Sequence, residues 1–115
     1  MRKIIELLQQ YEEVWFWIDK EYQDQFFKEL IDLNVIFTNG APVARGAIRH
    51  CMGVDNKKTV GYLSNMVWFN SFSHGNPPLK VNYGKYINGE DDYVFLKSNI
   101  QPIDIDELME GRNNG

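Results

Sequence analysis

The chain has 115 residues, of which 43% are hydrophobic and 14% aromatic. This length favours one domain that buries roughly two thirds of the surface its unfolded form exposes. A single cysteine, Cys51, excludes an intrachain disulfide. No stretch reaches the ~18 apolar residues of a membrane span, and the polar N-terminal segment lacks a signal-peptide core. These features together predict a soluble protein of the cytoplasm.

Charge is distributed in three blocks along the sequence. Residues 1–32 carry eight acids and four bases, residues 33–89 carry one acid and six bases, and residues 90–115 carry seven acids and two bases. Blocks of this kind are typical of solvated faces. The alternative is that the basic middle block meets an anion while the acidic ends keep the protein soluble.

Hydrophobic periodicity and turn residues predict the elements in chain order. They are a helix over 2–12, a strand over 14–18, a helix over 20–33 that Asp19 can cap, a strand over 35–38, an ambiguous helical turn over 43–49, a hairpin with arms over 50–54 and 59–69, a polar loop over 70–78, and strands over 79–83 and 93–96.

These elements predict an α+β fold in which two helices pack on a mainly antiparallel sheet of about five strands. The expected single domain covers residues 1–103, and residues 104–115 form an acidic C-terminal helix or tail. The strand over 14–18 is apolar on both faces, so both must be covered by the domain itself or by a partner subunit. Trp15 and Trp17 are therefore core, interface or pocket residues, and the sequence predicts a homo-oligomer.

No arrangement of residues typical of an active site is present in the sequence. His50 and Cys51 are adjacent, and adjacent side chains of a strand point to opposite faces, so Cys51 is interpreted as a small core residue. The two histidines, His50 and His74, lack the spacing of metal ligands, and the glycines match no phosphate-binding pattern. We expect no catalytic residues, no metal and no cofactor, and hence a protein that is not an enzyme.

The basic middle block contains the candidate ligand-binding residues. Arginine guanidinium groups match phosphate oxygens, aromatic rings stack on bases, and asparagine and histidine side chains bond base edges or hydroxyls. The candidates are Arg45, Arg49, His50, Trp68, Asn70, Phe72, His74 and Asn76. In the structural alternative Trp68 belongs to the core, Phe72 pins its loop, and the two arginines pair with Glu29 or Asp32.

The net charge of −4 bears on the class of ligand. An acidic protein is repelled by long polyanions, which argues against bulk DNA or RNA as the partner. A few local cations can nevertheless hold a small anionic, nucleotide-like molecule. That molecule is the partner we predict.

Four segments are similar in style to small bacteriophage and prophage proteins, and within that group the chain resembles the Thoeris anti-defence sponges. The segments are Val14-Trp15-Phe16-Trp17-Ile18, Phe27-Lys28-Glu29-Leu30-Ile31-Asp32-Leu33, Val35-Ile36-Phe37-Thr38-Asn39-Gly40 and Thr59-Val60-Gly61-Tyr62-Leu63-Ser64. The resemblance covers residues 5–90 by the order of elements, without a diagnostic motif.

The resemblance implies a phage protein that acts in the host bacterial cell. Proteins of this family trap cyclic ADP-ribose-type signals or cyclic oligonucleotides, without cleaving them, in pockets at a homo-oligomer interface. Arg112, the basic residue in the acidic tail, is then a candidate to complete the ligand pocket of a neighbouring subunit. The alternative function is a protein-binding inhibitor of a bacterial defence system, of the anti-CRISPR or anti-restriction type.

Overall fold

A computed structural model describes residues 1–71 and 78–96 of the chain. The helices are α1 (Ile4–Leu8), α2 (Gln23–Asp32), α3 (Asn65–Asn70) and α4 (Tyr83–Ile87). The strands are β1 (Glu13–Trp17), β2 (Ile36–Phe37), β3 (Cys51–Asp55), β4 (Thr59–Tyr62) and β5 (Leu79–Asn82). Short 3₁₀ turns cover Lys20–Tyr22 and Arg45–Ala47. The predicted tail over 104–115 lies outside the described residues.

The five strands form one sheet in the order β2-β4-β3-β1-β5. Strand β3 runs antiparallel to both β1 and β4, whereas β5 is parallel to β1 and β2 is parallel to β4. The predicted α+β class, the single domain and the five strands are confirmed. Two details were wrong: the sheet is mixed rather than mainly antiparallel, and the described residues contain four helices rather than two.

The two helices that the sequence pattern missed are short and depend on local caps. The Ser64 hydroxyl accepts a 3.1 Å hydrogen bond from the Val67 N–H at the start of α3. The Asn82 side chain accepts one of 3.1 Å from the Lys85 N–H at the start of α4. Both residues are preferred N-caps because their oxygens satisfy amide groups that the first helical turn leaves unbonded. The predicted strand over 59–69 therefore ends at Tyr62, before α3 begins. The predicted strand over 93–96 is reduced to a single bridge between Val81 and Val94.

The main core lies between one face of the sheet and the helices α1, α2 and α4. Alternate residues of β1 point to this face, and Val14 and Phe16 are fully buried there. The Phe16 ring lies 5.4 Å from that of Phe26 in α2 and 6.0 Å from that of Tyr83 in α4. The packing requires a glycine at position 84, because a Cβ there would overlap the Tyr22 ring.

A buried carboxylate joins α2 to α1 and α4. Glu29 is only 4% exposed; it accepts a 2.9 Å hydrogen bond from the Ile4 N–H and a second from the Tyr83 hydroxyl. Burial raises the pKa of Glu29 above its ordinary value, although both hydrogen bonds act in the opposite direction. Glu29 thus serves as the remote cap of α1 and as the acceptor for Tyr83.

We expect Glu29→Ala to lower the free energy of unfolding by about 2–4 kcal/mol, since it leaves two buried donors without an acceptor. Glu29→Gln keeps an acceptor and should lower the free energy of unfolding by less than Glu29→Ala does. Because the folded-state pKa is raised, the wild-type free energy of unfolding should fall as pH rises from the unfolded glutamate value near 4.3 through the folded one.

The measurement is urea denaturation at several pH values. Glu29→Gln should remove this component of the pH dependence, whereas Glu21→Gln, at an exposed residue, should leave it unchanged. Equal pH profiles for wild type and Glu29→Gln would show that Glu29 does not titrate in this way.

Candidate ligand-binding surface beside the tryptophan face

The second face of the sheet carries the tryptophans of β1, and α3 covers it. Because residues alternate along a strand, Trp15 and Trp17 point away from the main core. Trp68 of α3 packs on both, with ring centroids 6.3 Å from Trp15 and 5.7 Å from Trp17, and its ring contacts Phe95 at 5.4 Å. We call this surface, defined by Trp15, Trp17 and Trp68, the tryptophan face. Trp68 is only 1% exposed, whereas Trp15 and Trp17 are half-buried.

A buried lysine lies within the tryptophan face. Lys80 pairs with Trp15 across β1 and β5 and is 1% exposed. Its ammonium nitrogen lies 4.9 Å from the Trp15 ring centroid and 5.9 Å from that of Trp68, within range of cation–π attraction. Burial lowers the pKa of Lys80 to about 8. Burial also raises the pKa of the nearby Cys51 thiol to about 12, so this cysteine is a neutral, buried group.

The two candidate arginines of the middle block have different surroundings. Arg45, in the 3₁₀ turn, forms an ion pair with Asp24 of α2, and this hydrogen bond lowers the pKa of Asp24. The predicted structural alternative paired Arg45 with α2 through Glu29 or Asp32; the helix is the predicted one, but the carboxylate is Asp24. The charge of Arg45 is thus balanced by a neighbouring side chain.

Arg49 forms no ion pair with any carboxylate in the part of the chain that the structure describes. Its Nη1 donates hydrogen bonds to the carbonyl oxygens of Gly46 at 2.7 Å and Ile48 at 3.2 Å. The guanidinium carbon lies 5.9 Å from the ring centroid of Tyr62, which is 54% exposed. An exposed guanidinium is therefore fixed beside an accessible ring.

His50 joins this surface to the tryptophan face. Its Nε2 lies 2.7 Å from Oδ1 of Asn65, the first residue of α3. The imidazole also makes an edge-to-face contact with Trp17, with ring centroids 5.1 Å apart. We call the group Arg49, His50, Trp17, Tyr62 and Asn65, which lies at one end of the sheet, the cationic rim. The strand register places Tyr62 on the face of Met52 and Trp17 on the opposite face, so the rim spans the end of the sheet. It combines a permanent cation, an imidazole, two aromatic rings and an amide.

The structure brings only some of the predicted site residues together. Arg49 and His50 are adjacent in sequence, and Arg49 lies against Tyr62 whereas His50 lies against Trp17. Trp68 and Asn70 belong to α3, where Trp68 is buried and Asn70 is exposed. Phe72, His74, Asn76 and Arg112 lie outside the described residues.

Sequence reasoning missed three residues of the rim and the buried Lys80. Trp17 could have been identified from the alternation of side chains along β1, which places Trp17 on the face of the sheet opposite to Phe16. Asn65 gave no signal, because the α3 helix to which it belongs was not predicted. The exposure of Tyr62 depends on β4 ending there.

A cleft of about 390 Å³ lies elsewhere, beside β5 and the start of α4. Its lining consists of Asn82, Lys85, Asp92, Tyr93, Val94 and Phe95. The Lys85 ammonium pairs with the Asp92 carboxylate at 2.7 Å, so the charges of the cleft balance each other. Within the described residues, no three metal-ligating side chains converge.

No protein-family model, curated protein or solved structure that was compared with the chain matches it. Within residues 1–71 and 78–96, no helix has the length and apolar character needed to span a bilayer.

We expect Lys80→Met to raise the free energy of unfolding near pH 7 by about 1–2 kcal/mol, because it replaces a buried charge with an apolar chain of similar length. The folded-state pKa of about 8 lies below the ordinary 10.5. Between these values the unfolded chain binds more protons, so wild-type stability should rise with pH in that window.

The measurement is urea denaturation followed by tryptophan emission, between about pH 7 and pH 10.5. Lys80→Met should show no such rise, and the exposed Lys57→Met should behave like wild type. The raised pKa of Cys51 makes stability fall with pH above about 9 in both proteins, so the quantity to compare is the difference in stability between wild type and Lys80→Met. A difference that stays flat across the window would contradict a lowered lysine pKa.

Proposed function

We propose that this protein binds a small anionic ligand of the nucleotide class at the cationic rim and does not transform it. The observation that carries the proposal is the exposed Arg49 guanidinium, which no described carboxylate neutralises. Arg2, Arg45 and Lys85 each form an ion pair with an aspartate. Arg49 instead lies next to the exposed ring of Tyr62, where an external anion can reach it.

The chemistry of the rim fits a phosphate attached to a base. A guanidinium offers several donors in one plane, which matches the oxygens of a phosphate. An aromatic ring such as Tyr62 stabilises a stacked base by about 1–3 kcal/mol. The amide of Asn65 and the imidazole of His50 add donors and acceptors for the rest of the ligand.

Binding without turnover is supported by the state of the thiol close to the rim. The Cys51 thiol follows His50 in sequence, but it is buried and its pKa is raised to about 12, so it is protonated at neutral pH. A protonated, buried thiol is a poor nucleophile.

The narrower form of the proposal is sequestration of a cyclic-nucleotide or cyclic ADP-ribose-like immune signal by a phage-type anti-defence protein in the host bacterial cell. It rests on the resemblance of β1, α2 and the β4 segment to the Thoeris anti-defence sponges. The cationic rim is compatible with such a ligand because its phosphates are anionic and its base is a planar ring.

We expect Arg49→Ala to weaken the binding of cyclic AMP about ten- to hundredfold, the usual effect of losing a charged hydrogen bond. Arg45→Ala is the matched control, because the guanidinium of Arg45 is already paired with Asp24. Isothermal titration calorimetry measures both affinities. Recovery of intact cyclic AMP after denaturation tests the absence of turnover.

Equal losses in Arg45→Ala and Arg49→Ala would show a general charge effect instead of a site. Unchanged affinity in Arg49→Ala, or no binding by the wild type, would refute the proposed site. A product that accumulates with time would refute binding without turnover.

An exposed apolar patch supports the second candidate, a protein-binding inhibitor of a bacterial defence system. Met66 and Val67 are 53% and 47% exposed and are neighbours in α3. Neighbouring apolar side chains at a surface are typical of protein contacts. The same patch is available for the proposed homo-oligomer.

We expect Val67→Glu to weaken self-association, because it places a charge in the patch. Ile31→Glu, at an apolar residue that is 46% exposed on α2, is the control and should not. Sedimentation at tens of micromolar should show a species larger than the 13.5 kDa chain for wild type and control. A wild-type monomer would exclude the homo-oligomer and favour the inhibitor as the use of the patch.

A further inference from the structure

A second aromatic ring lies beside Tyr62 on the same face of the sheet. Phe37 of β2 pairs with Val60, and Tyr62 follows Val60 by two residues in β4, so the side chains of Phe37 and Tyr62 share a face. Their ring centroids are 5.6 Å apart, with 35° between the ring planes. Tyr62 is 54% exposed and Phe37 is half-buried. We call these two rings the ring pair.

The Arg49 guanidinium adjoins the ring pair at Tyr62. Its carbon lies 5.9 Å from the centroid of that ring. The carbonyl oxygens of Gly46 and Ile48 hold its Nη1. Within residues 1–71 and 78–96, its Nε and Nη2 donate no hydrogen bond, so these N–H groups are available to an external phosphate.

A cation next to two aromatic rings fits a molecule in which a single sugar separates a phosphate from a planar base. We infer that the ring pair is the base-binding part of the site, with Phe37 as a further binding residue, and that it selects purine over pyrimidine mononucleotides. The inference rests on the proposed function, in which Arg49 holds the phosphate.

The preference for purines follows from the size of the ring pair. Stacking becomes stronger as more of the base overlaps an aromatic surface. The two fused rings of a purine are large enough to cover both Tyr62 and Phe37, whereas the one ring of a pyrimidine covers Tyr62 alone. Phe37 should therefore stabilise a bound purine and contribute little to a bound pyrimidine.

A purely structural role of Phe37 makes a different prediction. Phe37 packs against the core, so its loss could disturb the whole end of the sheet. Such a disturbance would weaken the binding of purine and pyrimidine nucleotides by the same factor. The ratio of the two affinities therefore distinguishes a binding residue from a structural one.

The probes are cyclic AMP and cyclic CMP, which carry the same phosphodiester and differ only in the base. Isothermal titration calorimetry should show that the wild type binds cyclic AMP roughly three- to tenfold more tightly than cyclic CMP. Phe37→Leu should weaken cyclic AMP to about the affinity of cyclic CMP and leave cyclic CMP nearly unchanged. Tyr62→Leu should weaken both, and Arg49→Ala should weaken both by one factor and keep the wild-type ratio.

Two control variants are matched to Phe37. Phe37→Tyr keeps the ring and should keep the ratio. Ile36→Ala changes the neighbouring residue, which is 43% exposed and points to the opposite face of β2, and should also keep it. A measurement on the wild type needs no variant to fold: intermolecular nuclear Overhauser effects should connect the adenine protons with the ring protons of Phe37 and Tyr62.

The outcomes separate the inference from the proposed function. Equal affinities of the wild type for the two nucleotides, a ratio that Phe37→Leu leaves unchanged, or adenine protons without contact to Phe37 would overturn the role of the ring pair. If Arg49→Ala still weakens binding in these cases, the proposed function stands. Absence of cyclic AMP binding, or binding that Arg49→Ala does not weaken, overturns both.

Discussion

The structure depends on a strand that is apolar on both of its faces. In β1, Val14 and Phe16 point to one side and Trp15 and Trp17 to the other, so neither side of the sheet can be left to solvent. The helices α1, α2 and α4 cover the first side, and α3 covers the second through Trp68. The three-layered arrangement follows from this requirement.

Covering the tryptophans also creates the candidate site. When Trp68 packs on Trp17, the first turn of α3 is brought to the start of β3, where Asn65 bonds His50. Arg49 precedes His50 and lies against Tyr62 at the end of β4. Closing the second face therefore fixes the His50 side of the cationic rim, whereas Tyr62 belongs to the first face.

The sequence predicted those parts of the fold that periodicity and turn residues determine. The positions of β1, α2 and the β3–β4 hairpin could be predicted because their apolar patterns are long or their turn is distinctive. Helix α3 could not, because Val67, Trp68 and Phe69 favour strands by propensity, and its start depends on the Ser64 cap.

The difference between Arg45 and Arg49 was equally hidden from the sequence. It requires the position of Asp24, a residue 21 positions before Arg45 in sequence.

The most direct test is to map cyclic AMP onto the protein by amide and indole chemical-shift changes in two-dimensional NMR. We expect the largest changes on Arg49, His50, Tyr62 and the indole N–H of Trp17. Changes concentrated on the residues that line the cleft between Asn82 and Phe95, or no changes at all, would contradict it.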